Sequence, residues 1–194
     1  MIKLKTPISE EEIRKLRVGD TVLLSGTVVT ARDQAHKLMI EEKPDFVRDD
    51  LRESVIYHCG PVVRKDDKGE WHFVSAGPTT SAREEPYQAE VIKEYQVRGV
   101  IGKGGMGART AEGLKNYGAV YFHAVGGAGT LIANAVKKVK TVYKLDEFGT
   151  PEAFWVIQVE DFPLVVTMDA HGGSLHKEIM EKSSKIADEL IHQI

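Results

Sequence analysis

From residue 98 onward the chain alternates β-branched and aromatic runs with helical stretches: RGVIG, a helix from about Met106 to Tyr117, AVYFHAV, a helix from about Thr130 to Val136, then KTVYKL. This alternation constrains the fold more than any other feature, because parallel strands need a long crossover and a helix supplies it. It predicts βαβ units and a parallel sheet. Upstream, SEEEIRKL (9–16) reads as a helix opened by a Ser9/Glu12 capping box, and TVLLSGTVVT (21–30) as a buried strand. TARDQAHKLMIEEKPD reads as a helix with Thr30 and Asp33 as a second capping box, which places Arg32 in its first turn and lets Pro44 stop it. SVIYHCGPVV and EWHFVSAGPTT flank the turn RKDDKG, a hairpin pattern. SAREEPYQAEVIKEYQ reads as a helix that starts either at Ser81, with Glu84 completing a capping box, or at Pro86. AFWVIQVEDF and PLVVTMD predict two antiparallel strands, since the link at Phe162 and Pro163 is too short for a crossover. Residues 174–194 predict a closing helix with an apolar stripe through Leu175, Ile179, Ile186 and Leu190. With no repeat and no linker, the expectation is one α/β domain over residues 1–194 with a mixed sheet.

Composition narrows the function. The 194 residues, 42% hydrophobic and 28% charged, suffice for a core without metal or disulfide staples. A net charge of -3 leaves no basic excess to draw in a polyphosphate, so nucleic acid is excluded as the expected partner. No run approaches the roughly 20 apolar residues of a membrane span, and the first residues carry no leader pattern, so a soluble cytoplasmic protein is expected. The single cysteine, Cys59, cannot by itself hold an iron–sulfur cluster or a multi-cysteine zinc site. Any such cofactor would come from another chain.

VRGVIGKGGMGART (97–110) satisfies G-x-G-x-x-G at Gly102, Gly104 and Gly107 between a strand and a helix. A dinucleotide site also needs an acidic residue at the end of the next strand, and no Asp or Glu lies between Gly118 and Thr130. The P-loop pattern is absent as well. What remains is Lys103 on a permissive turn at the mouth of a parallel sheet, suited to a small anion such as a carboxylate. GGAG (126–129) carries no charged side chain and reads as tight turning and close packing. Arg32, Arg83 and Lys103 each fall near a predicted helix start that follows a strand, and three converging cations match a dicarboxylate.

GDTVLLSGTVVTARDQAHK (19–37), GPTTSAR (77–83), IGKGGM (101–106) and HAVGGAG with EFGTPEAFWVIQVEDFPLVVTMD together resemble the β subunit of class I fumarate hydratases and L(+)-tartrate dehydratases, and the C-terminal domain of their single-chain forms. The resemblance covers about Pro7 to Asp169. It implies a swivelling β/β/α domain and a hydro-lyase reaction, hydration of fumarate to L-malate or the matching dehydration of tartrate. It also implies an α subunit bearing a [4Fe–4S] cluster, and so a hetero-oligomer, with a dimer of heterodimers among the assemblies allowed. By the same resemblance Arg32, Arg83 and Lys103 are substrate-carboxylate ligands and Thr79 is the candidate general base, with substrate ligation or helix capping as its alternative. A different class, a dicarboxylate-binding module without catalysis, would use the same cations. Two departures stand out: Leu38 replaces a second basic residue after AHK, and Ala82-Arg83-Glu84 replaces Gly-Arg-Met. A carboxylate aimed into a carboxylate site is unfavourable, so Glu84 is expected to cap the following helix, Asp33 to start its own helix, and His36 to pack or to support the site residues from behind.

Overall fold

The computed structural model describes residues 1–191. The elements in chain order are β1 (Ile2–Lys5), α1 (Glu10–Arg14), β2 (Thr21–Thr30), α2 (Asp33–Glu41), α3 (Arg48–Leu51), β3 (Val55–Tyr57), β4 (Val62–Lys65), β5 (Trp71–Ser75) and α4 (Gln88–Tyr95). They continue with β6 (Gly99–Gly102), α5 (Ala108–Tyr117), β7 (Val120–His123), α6 (Gly129–Ala133), β8 (Val136–Tyr143), α7 (Leu145–Phe148), β9 (Phe154–Met168) and α8 (Leu175–Ile191). The fold is α/β with a mixed sheet ordered β1-β2-β3-β6-β7-β9-β8, and β9 pairs back onto β2. The strands β2, β3, β6, β7 and β9 therefore close into a barrel-like ring, which leaves those five without a free edge.

Alternation along the strands sorts side chains onto the two faces. Val55, Tyr57, Ile101, Val120 and Phe122 join one buried cluster with Trp155, Ile157 and Phe162. The intervening Ile56, Val100 and Tyr121 join a second, completed by Ala35 and Met39 of α2, Val91 and Ile92 of α4, and Leu114 of α5. The parallel register sets Thr30, Tyr57 and Ile101 in one row, and pairs Gly102 with His123. The residues that follow these strands consequently emerge at one edge of the sheet.

The β4–β5 hairpin forms, as a separate two-stranded sheet. Other expectations are corrected. AFWVIQVEDF and PLVVTMD are a single strand, β9, because Asp161 takes φ 49° and gives its N–H to Ser25 Oγ, which bends the chain at a bulge opposite Ser25 without reversing it. β8 lies antiparallel on the first half of β9, so the parallel βαβ run ends at β7. The Thr30/Asp33 capping box does not form: Thr30 is the last residue of β2, and its hydroxyl accepts from Trp155 N–H and donates to Ala153 C=O. Arg32 is accordingly the residue before the first helical one. Residues 81–84 make a 3-10 turn, and the α-helix begins only at Gln88, past Pro86.

The C-terminal helix forms but does not close the domain; residues 192–194 of the expected span lie outside the described residues. None of the residues of α8 is buried, and Ile179, Ile186 and Leu190 are 56–59% exposed. Its first turn is anchored by His176, whose Nε2 lies 2.9 Å from Thr167 Oγ1. A chain ending after Lys177 should keep its far-UV signature apart from the lost helix and melt within about 2 °C of the full chain, because exposed residues contribute little to stability. A drop of 10 °C in a thermal melt would show that α8 belongs to the core.

Candidate active site

The edge at which β2, β3, β6 and β7 end collects the cations. Arg32 follows β2, and its Nε lies 3.4 Å from a Glu152 carboxylate oxygen while its side chain packs against Gly60. The segment 78–83 enters between the ends of β3 and β6: Thr79 N–H donates to His58 C=O at 2.7 Å, and Lys103 N–H donates to Thr79 C=O at 3.2 Å. Ser81 N–H then donates to Lys103 C=O at 3.1 Å, so Thr79 and Lys103 are held in adjacent rows. Arg83, exposed, turns back to ion-pair with Asp33 at the start of α2. Arg32, Thr79, Arg83 and Lys103, found separately in the sequence, thereby lie at one edge of the sheet.

The glycines around Lys103 have separate reasons. Gly104 and Gly105 take φ of 83° and 75°, a conformation costly for any other residue. At Gly102 a Cβ would collide with Ser81 Oγ, and at Gly105 with the His176 ring. The following helix end is already occupied: Glu85 accepts from Gly107 N–H at 2.8 Å, Thr110 N–H at 3.2 Å and Thr110 Oγ1 at 2.7 Å. Glu85, not Glu84, is the capping acid. Lys103 Nζ donates to Thr80 Oγ1 at 2.6 Å, which places Thr80, missed in the sequence, beside the cation. In GGAG, Gly127 takes φ 80° and Gly129 packs on Gly77, the turning and packing role expected.

Beneath this surface lies a buried polar layer that the sequence did not reveal. His36 Nδ1 is 2.9 Å from Arg32 C=O, and a carbonyl only accepts, so Nδ1 carries the hydrogen. Burial pushes the His36 and His58 imidazoles down, so both are neutral and His36 Nε2 must accept. Its neighbour is the Gln88 amide, 2.9 Å away, which also lies 2.8 Å from His58 Nε2. With Oε1 toward the rings, Gln88 Nε2 is buried without a partner among the described residues; the opposite orientation lets both N–H groups donate, one to each ring. His58 then donates from Nδ1 to Ser81 Oγ at 2.8 Å, where Tyr121 O–H also donates at 2.9 Å. One chain of hydrogen bonds thus ties the start of α2 to the 79–83 segment and to β7.

His123, at the end of β7, is a further neighbour of Lys103 that the sequence reading passed over. Desolvation, then the Lys103 charge, lowers its pKa, and its Nδ1 is buried without a partner among the described residues. Its ring lies 5.9 Å, centroid to centroid, from that of His176. The signal was its position, the last residue of a strand parallel to β6, which ends at Gly102 next to Lys103. The hairpin turn brings Asp66, Glu70 and His72 together, a grouping the sequence reading did not single out. No described helix is long and apolar enough to cross a membrane.

A family model described as the fumarase C-terminus matches residues 1–179. The chain belongs to the fumarase C-terminus family. It is 50% identical over 184 residues to a putative class I fumarate hydratase of Geobacillus stearothermophilus, covering 95% of this chain but 35% of that relative's length. It is also 45% identical over 190 residues to a putative L(+)-tartrate dehydratase subunit beta of Methanocaldococcus jannaschii, covering 95% of each. The L(+)-tartrate dehydratase subunit beta of Escherichia coli K12 is 40% identical over 193 residues, 98% of this chain and 94% of the relative. In this member of the fumarase C-terminus family, Glu85→Ala should remove three hydrogen bonds from the start of α5 and cost about 1–2 kcal/mol. A calorimetric melting temperature lowered by roughly 2–8 °C is expected. An unchanged one would mean that water caps the helix equally well.

Proposed function

We propose that this chain is the β-type subunit of a two-subunit hydro-lyase and that, with its partner, it reversibly hydrates fumarate to L-malate. The observation that supports this reading most is the convergence of Arg32, Thr79, Arg83 and Lys103 on one sheet edge in a chain of the fumarase C-terminus family. A planar carboxylate fits an arginine fork, so Arg83 exchanges Asp33 for one substrate carboxylate, while Lys103 supplies a point charge beside it. Thr79, pinned through both its N–H and its C=O, presents its hydroxyl to the carbon next to the carboxylate and takes or returns that carbon's proton. A threonine oxyanion near neutral pH needs cations close by, and Lys103 in the adjacent row answers that need.

The family resemblance adds a [4Fe–4S] cluster, a Lewis acid for a substrate oxygen. The residues of this chain do not fit that group: Cys59 is the only thiol, it is buried, and burial pushes it up to about 12, the reverse of what a thiolate ligand requires. On this reading the cluster sits in the partner, the active site forms where the two chains meet, and the isolated chain is colourless and inactive. Tartrate is the second reading, favoured by the match of this chain to nearly the whole length of two relatives named as tartrate dehydratase β subunits.

Anaerobic co-purification followed by assays with fumarate, L-malate and L(+)-tartrate tests the assignment. A coloured partner and turnover only in the complex are expected; binding of dicarboxylates without turnover in the complex would make the chain a binding module. In the active complex, Thr79→Ala should lower kcat by about 10²–10⁴-fold with a smaller change in KM, and Thr79→Ser should retain most of the rate. Arg83→Lys should raise KM and lower kcat/KM by an amount on the order of 2 kcal/mol. If Thr79→Ala raises KM alone, Thr79 is a substrate ligand and the base lies elsewhere.

A further inference from the structure

Glu84 is fully buried, and neither carboxyl oxygen has a hydrogen-bond partner among the described residues. An ionised carboxylate normally accepts several hydrogen bonds, and burying one without them is costly. The groups around it do not compensate. His58 Nδ1, 3.9 Å away, belongs to an imidazole that burial keeps neutral. Arg83, the next residue, is turned onto Asp33, and Arg32 is turned toward Glu152. From β7, Tyr121 presents an uncharged phenol engaged with Ser81, and His36 of α2 is neutral. The expected capping role is therefore corrected: the 3-10 turn at 81–84 points this side chain inward, and Glu85 caps α5 instead.

The charges at this edge are closely balanced. Among the described residues Arg32, Arg83 and Lys103 lie at this edge with the carboxylates of Asp33, Glu152 and Glu85, the last engaged on the start of α5, so an ionised Glu84 adds a negative charge that competes for the same cations. We infer that Glu84 is a proton-linked positioning residue: the cleft takes a dicarboxylate while Glu84 is neutral, and ionisation of Glu84 weakens that binding. Ionised, Glu84 would compete for Arg83 and Arg32 and repel the incoming dianion. By linkage, a dianion that favours the neutral acid is in turn bound better by it. Burial, with the Asp33 carboxylate adding to it against the pull of its own backbone N–H, Arg83 and Arg32, raises the Glu84 carboxyl to about 8, which puts the transition just above neutral pH. This inference rests on the reading of the edge as a dicarboxylate site.

L-malate, with both carboxyl groups ionised throughout, is titrated into the full chain from pH 6.5 to 9.5 and followed by NMR chemical shifts or calorimetry. The wild type should lose affinity by a factor on the order of ten across this range. Glu84→Gln and Glu84→Met, which cannot ionise, should bind with little pH dependence, while every other titrating group is unchanged. Without ligand, the sign follows from a folded pKa above the unfolded one: the wild type loses stability as pH rises from about 4.5 through about 8, and the two variants lack that loss. Their melting temperatures should accordingly exceed that of the wild type by a margin that grows over this interval and then levels off. Equal pH dependence of malate binding in wild type and variants would overturn the linkage while leaving the cleft assignment standing. Absence of malate binding in all three proteins at every pH would overturn the dicarboxylate reading and the linkage with it, whatever the melting curves show.

Discussion

The site depends on the pairing of β9 with β2. β9 runs 15 residues against the full length of β2, and its outer edge carries β8 on the first half and β7 on the second. Closing the ring this way fixes the register of β2, β3, β6 and β7 together, because slipping any one strand by a residue would exchange its core and helix-facing side chains. Residues such as Tyr57 and Phe122, buried on one face, and Ile56 and Tyr121, buried on the other, make such a slip prohibitive. The row of strand ends is therefore rigid, and so are the backbone positions of Arg32, Thr79 and Lys103.

A second layer of constraint is polar. Hydrogen bonds from Arg32 C=O through His36, Gln88, His58 and Ser81 to Tyr121 run under the cations with each ring in a defined tautomer. Buried networks of this kind are favourable when fully satisfied and penalise any rearrangement that leaves a member unpaired. The arrangement explains why two histidines and a glutamine occupy positions that ordinary packing would fill with apolar residues. It also ties down the backbone of the 79–83 segment, while the side chains of Arg83 and Lys103, exposed or half-exposed, reach Asp33 and Thr80 at the surface.

Local chemistry was legible in the sequence wherever a residue acts on its near neighbours. The Ser9/Glu12 capping box, strand β2, the hairpin around RKDDKG, the α5 crossover and the glycine turn at Lys103 follow from propensity, periodicity and glycine placement, and they appear in the fold. With no acidic residue after β7 the sequence leaves the dinucleotide fingerprint incomplete, and one cysteine cannot by itself supply the ligands of an iron–sulfur cluster.

Tertiary structure decided what depends on partners distant in sequence. Whether Phe162-Pro163 reverses the chain or bends it is settled by Ser25 and Gly26, more than 130 residues away. Glu84 and Glu85 are adjacent and chemically alike, yet one is buried without a hydrogen-bond partner among the described residues and the other caps a helix, because α5 happens to lie over only one of them. The stripe on α8 is visible in sequence, but a helical period specifies a face and not what covers it. Sequence thus determined which groups this protein has and which elements carry them; only the closed sheet determined which of those groups share a surface and which charges meet.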